Sequence, residues 1–244
     1  ATPVGLMGGE PYRIMELTPY VGASKATSSV ILYVMMHIFS HFCFWFFSIF
    51  LYLALRPVDI AMGTILAVVG AVSLLAIYFF MKGYKNGMAV RTLKLLQHIP
   101  FIKEWAKRFS ENKREALERV DSQIAELHKQ RRSTFYASLS LEFMARIIGC
   151  LEVYFILNIL TTDVSFPACI LIMAFTSLFA NLFFFSPMQL GAREGGFALA
   201  VGGLAIPGAF GVYTGLITRV RELIWIVIGV LLMKVGNGTP TNKA

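Results

Sequence analysis

The chain has 244 residues, of which 57% are hydrophobic and only 15% are charged, and its mean hydropathy is +0.66. Soluble domains carry about a quarter charged residues, so this composition excludes an ordinary soluble domain and predicts an integral membrane protein. The net charge of +8 is concentrated in one linker, which indicates membrane orientation and argues against nucleic acid as a partner.

The first 24 residues contain proline, glycine and glutamate in the pattern of a helix break followed by a new helix. Proline removes a backbone donor, and glycine gives the freedom for a tight turn. Glu10, Arg13 and Glu16 recur at three-residue spacing, so they share one face of the helix that follows. This face either lines a cavity or forms a surface ion pair on a solvated loop. The predicted break residues are Pro3, Gly5, Gly8 and Gly9.

Two apolar stretches, residues 26–55 and 60–81, are each long enough to cross a hydrocarbon core, which takes about 20 residues. They predict a hairpin of two membrane spans. His37 and His41 lie one helical turn apart in the first span, a spacing that suits a metal ion. Because no convincing set of carboxylate or thiolate ligands accompanies them, we favour packed or cavity-lining histidines. We expect neither a metal nor a cofactor.

The linker over residues 82–132 is the only strongly polar region of the sequence. Its many lysines and arginines predict a cytoplasmic location by the positive-inside rule. Apolar residues recur at three- and four-residue steps on both sides of Pro100. This pattern indicates two amphipathic helices, the first lying on the membrane surface. Basic helices of this kind also attract anionic headgroups, at about 1 kcal/mol per charge, although a solvated topogenic linker is the simpler interpretation.

A third span is predicted over residues 134–160, where Glu142 and Arg146 stand one helical turn apart. The glutamate precedes the arginine, which is the favourable order. Glu152 lies deeper in the same span. An ionisable group at that depth usually faces a partner or a cavity, so Glu152 is a secondary site candidate. Pro167 then opens a fourth span at a tolerated first-turn position.

A second helix break interrupts the apolar sequence of the second half. Pro187 and Gly191 supply the break, and Arg193 and Glu194 stand side by side at its end. Irregular backbone at membrane depth survives only where it is buried in protein or lines a cavity. The spacing from proline to glutamate equals that of the first motif. Two broken helices in the two halves of a membrane chain suggest an internal repeat, and two ordinary turns are the alternative.

The end of the chain holds one short apolar stretch and one long one. Residues 194–206 are too few to span a membrane on their own, so they predict a re-entrant half-helix or half of a broken span. Residues 210–233 predict the last span, with Arg219 and Glu222 on one face of its first half. The tail over residues 235–244 is polar and is predicted to be disordered.

The two motifs resemble those of the lysylphosphatidylglycerol synthase transmembrane, or flippase-like, domain family. The residues that carry the resemblance are P-V-G-L-M-G-G-E-P-Y-R at positions 3–13, P-M-Q-L-G-A-R-E at positions 187–194, and Arg219 on the final helix. The order of motifs, spans and basic linker is also similar over most of the chain. Met188-Gln189-Leu190 departs from the more glycine-rich turn that is usual there, which weakens the argument for the turn geometry but not for Glu194.

The resemblance implies that the chain is the C-terminal portion of a longer membrane domain, with further spans preceding it. The soluble aminoacyl-transferring domain of some family members does not follow the last span in this sequence. The sequence also contains no Ser/His/Asp set, metal cluster or catalytic cysteine pattern. We therefore expect that the chain is not an enzyme.

The predicted fold is one all-α polytopic membrane domain over residues 1–244. It is a transmembrane helix bundle with two broken or re-entrant helices related as an inverted repeat. Five charged side chains are expected to meet in a headgroup cavity, with Glu152 and Glu222 as secondary candidates. The alternative assigns the two motif glutamates to structural helix caps. The five predicted cavity residues are Glu10, Arg13, Arg193, Glu194 and Arg219.

The function implied by the resemblance is flippase-like movement of a polar phospho- or glycolipid headgroup across the plasma membrane of a prokaryote. The expected partners are membrane lipids, either anionic or aminoacylated or glycosylated, and not nucleic acid. A homodimer or a lipid-modifying enzyme is a further expected partner. A secondary transporter of a small solute is one alternative. A non-catalytic scaffold for a lipid-modifying enzyme or glycosyltransferase is the other.

Overall fold

The computed structural model describes residues 9–86, 122, 132–161, 163–183 and 189–236. All regular secondary structure in these ranges is helical, so the predicted all-α fold is confirmed. The helices with defined ends are α1 (Glu10–Val21), α2 (Ala23–Leu55), α3 (Ile60–Asn86), α4 (Arg132–Leu160), α5 (Phe166–Leu182), α6 (Ala192–Gly202) and α7 (Gly208–Gly236).

Three of these helices are long and apolar enough to cross a membrane. Their qualifying segments have 33, 23 and 28 residues and lie in α2, α3 and α4, against the roughly 20 residues that a span needs. Helix α5 is apolar but has only 17 residues. Helix α7 has 29 residues and carries Arg219, Arg221 and Glu222 within its apolar sequence. The chain is a multi-pass helical membrane protein.

Several sequence predictions fall outside the described residues. These are the break residues Pro3, Gly5, Gly8 and Pro187, nearly all of the basic linker, and the tail. The helix starts predicted beside the two motif glutamates lie in the described part. Helix α1 begins at Glu10, and helix α6 begins two residues before Glu194.

The described chain divides into two compact units, residues 9–149 and residues 150–236, with the boundary inside α4. The prediction of one membrane domain over the whole chain stays a prediction. The first unit has an aromatic core in which the rings of Phe39 and Phe80 stack with centroids 4.1 Å apart. Met36 and Phe135 complete this cluster, so it joins α2, α3 and α4.

The second unit has its core where α4, α5 and α6 meet. Val153, Leu157, Ile172, Phe197 and Val201 are each no more than 1% exposed there. Burial of large apolar side chains, at about 25 cal/mol per Å², fixes the short helix α6 against its neighbours.

Helices α6 and α7 approach so closely that glycine is required at position 211, and a Cβ atom at position 215 would be tightly packed. A Cβ atom on Gly211 would lie 2.5 Å from the backbone oxygen of Phe197, and one on Gly215 would lie 3.2 Å from the Cα of Glu194. Only a residue without a side chain allows backbones to come this near. The approach places Glu194 directly beside the part of α7 that carries the arginines.

Candidate functional site

Glu194 caps the start of α6 and is the centre of the candidate site. Gly191 precedes the helix with a φ of 78°, a left-handed conformation that favours glycine. The backbone N–H of Gly191 donates a hydrogen bond to Oε2 of Glu194 at 2.9 Å. The capping role weighed from the sequence is therefore present, and the carboxylate also lies at the positive end of the helix dipole.

Arg219 of α7 binds the same carboxylate. Its Nε donates to Oε1 of Glu194, and its Nη2 donates to Oε2 at 3.3 Å. Nη2 also donates to the backbone oxygen of Gln189 at 3.0 Å. Both side chains of the ion pair are only 15% exposed. One guanidinium therefore ties the turn before α6, the helix cap and α7 together through charge-assisted hydrogen bonds.

Three further ion pairs extend this contact into a network, and the longest of them joins Nη2 of Arg221 to Oε1 of Glu222 at 4.0 Å. Arg193 donates to Oε1 of Glu222 on α7, and Arg221 lies 2.7 Å from Oε2 of Glu152 on α4. Glu152 thus has a charged partner, as its depth in the span predicted. These pairs are more open to solvent, since the side chain of Arg221 is 49% exposed.

We call these six residues the charge network. Its three arginines balance its three glutamates, so the network as described carries no net charge. Arg219 and Glu222 both contact α6, which agrees with the shared face predicted for them. Its members are Glu152, Arg193, Glu194, Arg219, Arg221 and Glu222.

Glu10 and Arg13 belong to the other compact unit, so their meeting with the charge network stays a prediction. Glu10 is the first residue of α1, after Gly9, and its Oε2 is buried without a hydrogen-bond partner among the described residues. The guanidinium of Arg13 lies 4.8 Å from the ring centroid of Tyr33 on α2. This is a cation–π contact and accounts for the position of Arg13.

A second polar cluster, between α2 and α4, was not assembled by the sequence reasoning. Arg146 of α4 donates to Oγ of Ser40 at 2.7 Å and to the backbone oxygen of His37 at 2.9 Å. Its Nη1 lies 3.1 Å from Nδ1 of His41. A guanidinium beside these ring nitrogens disfavours a metal cation there. The sequence feature that could have indicated this cluster is the presence of an arginine and two histidines within apolar spans.

The helical bundle and its charge network define a class of protein, namely a multi-pass membrane domain with ion pairs inside its apolar helices. The chain belongs to the family described as "Lysylphosphatidylglycerol synthase TM region", whose model matches residues 1–229. This confirms the resemblance read from the two motifs. Comparison with curated proteins and with solved structures finds no match.

Proposed function

We propose that the chain moves a polar lipid headgroup, phosphorylated or glycosylated, between the leaflets of a prokaryotic plasma membrane. The observation that supports this most directly is the Glu194–Arg219 pair. It lies in a chain that is 57% hydrophobic, and it joins a helix start to the neighbouring helix. Family membership supports a lipid-related role in a membrane.

The pair supplies the two kinds of contact that a lipid headgroup needs. A guanidinium binds phosphate with the same forked geometry that it uses for a carboxylate. A carboxylate accepts hydrogen bonds from an ammonium group or from sugar hydroxyls. A phosphorylated headgroup that entered the network would replace Glu194 on Arg219, while its donors would replace Arg219 on Glu194. Acyl chains would stay in the bilayer throughout.

Exchange of partners limits the energetic cost of moving a charged group through the membrane. Opening a buried ion pair by removing one partner costs about 3–5 kcal/mol, because one charge is left unpaired. A headgroup that supplies a replacement for each partner avoids most of this cost. Because the network itself is balanced, a zwitterionic headgroup, which brings one charge of each sign, leaves the site neutral during the exchange.

The proposal assigns no chemical reaction to the chain, and its partners are lipids that are anionic, aminoacylated or glycosylated. The sequence contains no Walker motif, so ATP would not drive the movement through this chain. A homodimer or a lipid-modifying enzyme would supply or receive the headgroup at the membrane. Neither association is needed for the exchange at Glu194.

The test is a headgroup-accessibility assay in liposomes, with fluorescent anionic and aminoacylated lipids. Glu194→Gln is the informative variant, because an amide oxygen still accepts the hydrogen bond from Gly191 while the charge is lost. We expect Glu194→Gln and Arg219→Ala to abolish exchange. The matched control is Glu16→Gln, which removes a charge from an exposed position on α1.

Two outcomes would contradict the proposal. Folded wild-type protein that exchanges no lipid would favour transport of a small solute. Lipid exchange that survives in both variants would assign the charge network to structure alone and would favour the scaffold.

A further inference from the structure

The first unit contains a cavity of about 630 Å³ between α2 and α4, which we call the α2–α4 cavity. This volume lies in the range of ligand pockets, roughly 300–1,000 Å³. Apolar residues such as Met36 and Phe135 form part of its wall, and the polar residues Tyr33 and Ser138 form another part. Glu142 is the only charged residue among the described residues that line it. The cavity shares no residue with the charge network.

The carboxylate of Glu142 lies near the ring of His37, which has a second neighbour at the same distance. Nδ1 of His37 lies 3.4 Å from Oε2 of Glu142 and also 3.4 Å from Nη2 of Arg146. Both distances are at the long limit of a hydrogen bond. A ring nitrogen with a proton donates to the carboxylate, whereas one without a proton accepts from the guanidinium. It cannot do both at once, so the tautomer and the charge of His37 together decide which neighbour Nδ1 binds, and only the imidazolium adds a positive charge beside Glu142.

Arg146 is held in place independently of this choice. It also donates to Ser40 and to the backbone oxygen of His37, and it lies beside the ring of His41. The guanidinium therefore stays where it is while the proton on His37 comes or goes. A neutral His37, in either tautomer, leaves the negative charge of Glu142 without a positive partner on this ring. A protonated His37 places a positive charge beside that carboxylate.

The surroundings of His37 contain few other titratable or charged groups. On α2 itself its ring stacks with Tyr33 and meets His41 edge-on, at centroid distances of 6.1 and 5.2 Å. Helix α4 contributes Glu142 and Arg146. Helix α1 contributes Arg13, which lies over the ring of Tyr33. Helix α3 contacts this part of α2 through the uncharged stack of Phe39 and Phe80.

We propose that the α2–α4 cavity binds a primary ammonium group through Glu142, and that a proton on His37 competes with that group. An ammonium group donates charge-assisted hydrogen bonds to the carboxylate, and the polar residues Tyr33 and Ser138 line the same cavity. An imidazolium at His37 would neutralise the same carboxylate and repel the ammonium. The ammonium group could belong to a lipid headgroup or to a free amine. This inference does not depend on the function proposed for the charge network.

The experiment uses the full chain in nanodiscs of phosphatidylcholine, with two fluorescent probes of the same shape. One is a dansyl alkylamine, and the other is the corresponding dansyl alcohol. We expect the wild type to bind the amine about tenfold more tightly than the alcohol, the size of one charge-assisted hydrogen bond. We expect this preference to shrink several-fold when the pH is lowered from about 8 to about 5.5.

Two variants assign the effect to the named residues. Glu142→Gln should bind both probes equally, and His37→Gln should bind the amine equally well at both pH values. Glu16→Gln should behave as the wild type. Adding phosphatidylethanolamine to the nanodiscs should weaken probe binding if a lipid headgroup enters the cavity, and should leave it unchanged if only free amines do.

Equal binding of amine and alcohol by the wild type would overturn the proposal without any variant, even if Glu142→Gln failed to fold. A preference for the amine that does not change with pH, or a pH dependence that persists in folded His37→Gln, would overturn the competition with the proton.

Discussion

The charge network and the cluster around Arg146 both hold arginine side chains within apolar helices, but the arginines have opposite kinds of partner. In the network each arginine meets a glutamate, so charge is cancelled by charge. In the cluster Arg146 is held mostly by neutral acceptors, a hydroxyl, a backbone carbonyl and imidazole nitrogens. Its neighbour Glu142 is left beside His37 and the cavity. In the proposed functions, paired charges exchange partners with a charged headgroup, whereas an arginine held by neutral groups leaves the carboxylate of Glu142 for an occupant of the cavity.

The largest loss of stability is expected when one charge is removed from the most buried ion pair of the network. Arg219→Ala leaves Glu194 unpaired at 15% exposure, so we expect the free energy of unfolding to fall by about 2–4 kcal/mol. Denaturant or thermal unfolding in mild detergent measures this. The double variant Arg219→Ala with Glu194→Gln should recover part of the loss, because no unpaired charge remains. An unchanged midpoint for Arg219→Ala would show that the pair is solvated.

The second prediction concerns the close contact between α6 and α7, which brings the charge network together. Gly211→Ala places a Cβ within 2.7 Å of three backbone atoms of α6, so the helices must separate. We expect a loss of about 1–3 kcal/mol from overpacking and a parallel loss of lipid exchange. The matched control is Gly229→Ala on the same helix, where a Cβ meets nothing within 4 Å. If the two variants have the same stability and the same lipid exchange, the close contact at Gly211 is contradicted.

A smaller loss of stability is expected when the cluster around Arg146 keeps its positive charge but loses the forked hydrogen-bond donors of the guanidinium. Arg146→Lys retains a cation, yet an ammonium cannot reach Ser40, His41 and the carbonyl of His37 at once. We expect a destabilisation of about 1–2 kcal/mol from the unsatisfied acceptors. The same substitution at exposed Arg56 provides the control. If the two variants unfold at the same temperature, the hydrogen bonds of Arg146 contribute nothing measurable.

The smallest effect should come from the outermost pair of the network. Arg221→Ala removes the partner of Glu152, but the arginine side chain is 49% exposed. Solvent screens such a pair, so we expect a change below about 1 kcal/mol. Comparing its unfolding midpoint with that of Arg219→Ala shows how the stabilisation from an ion pair depends on its burial. A loss as large as that of Arg219→Ala would show that exposure does not set the strength of these pairs.

The sequence alone determined the helices and the residues that would carry charge within them. Hydropathy predicted the first two spans over residues 26–55 and 60–81, and the helices run over 23–55 and 60–86. Apolar length and helix-breaking residues are local properties, so they can be read along the chain. The two motifs were also sufficient to recognise the family.

Only the tertiary structure decided which charges meet. Arg193 and Glu194 are adjacent in sequence but point to different residues of α7, because successive residues on a helix turn by about 100°. Arg146 and His37 are 109 positions apart, and no local pattern connects them. Partner choice depends on how helices pack, and here that packing depends on glycines whose role appears only when two backbones touch.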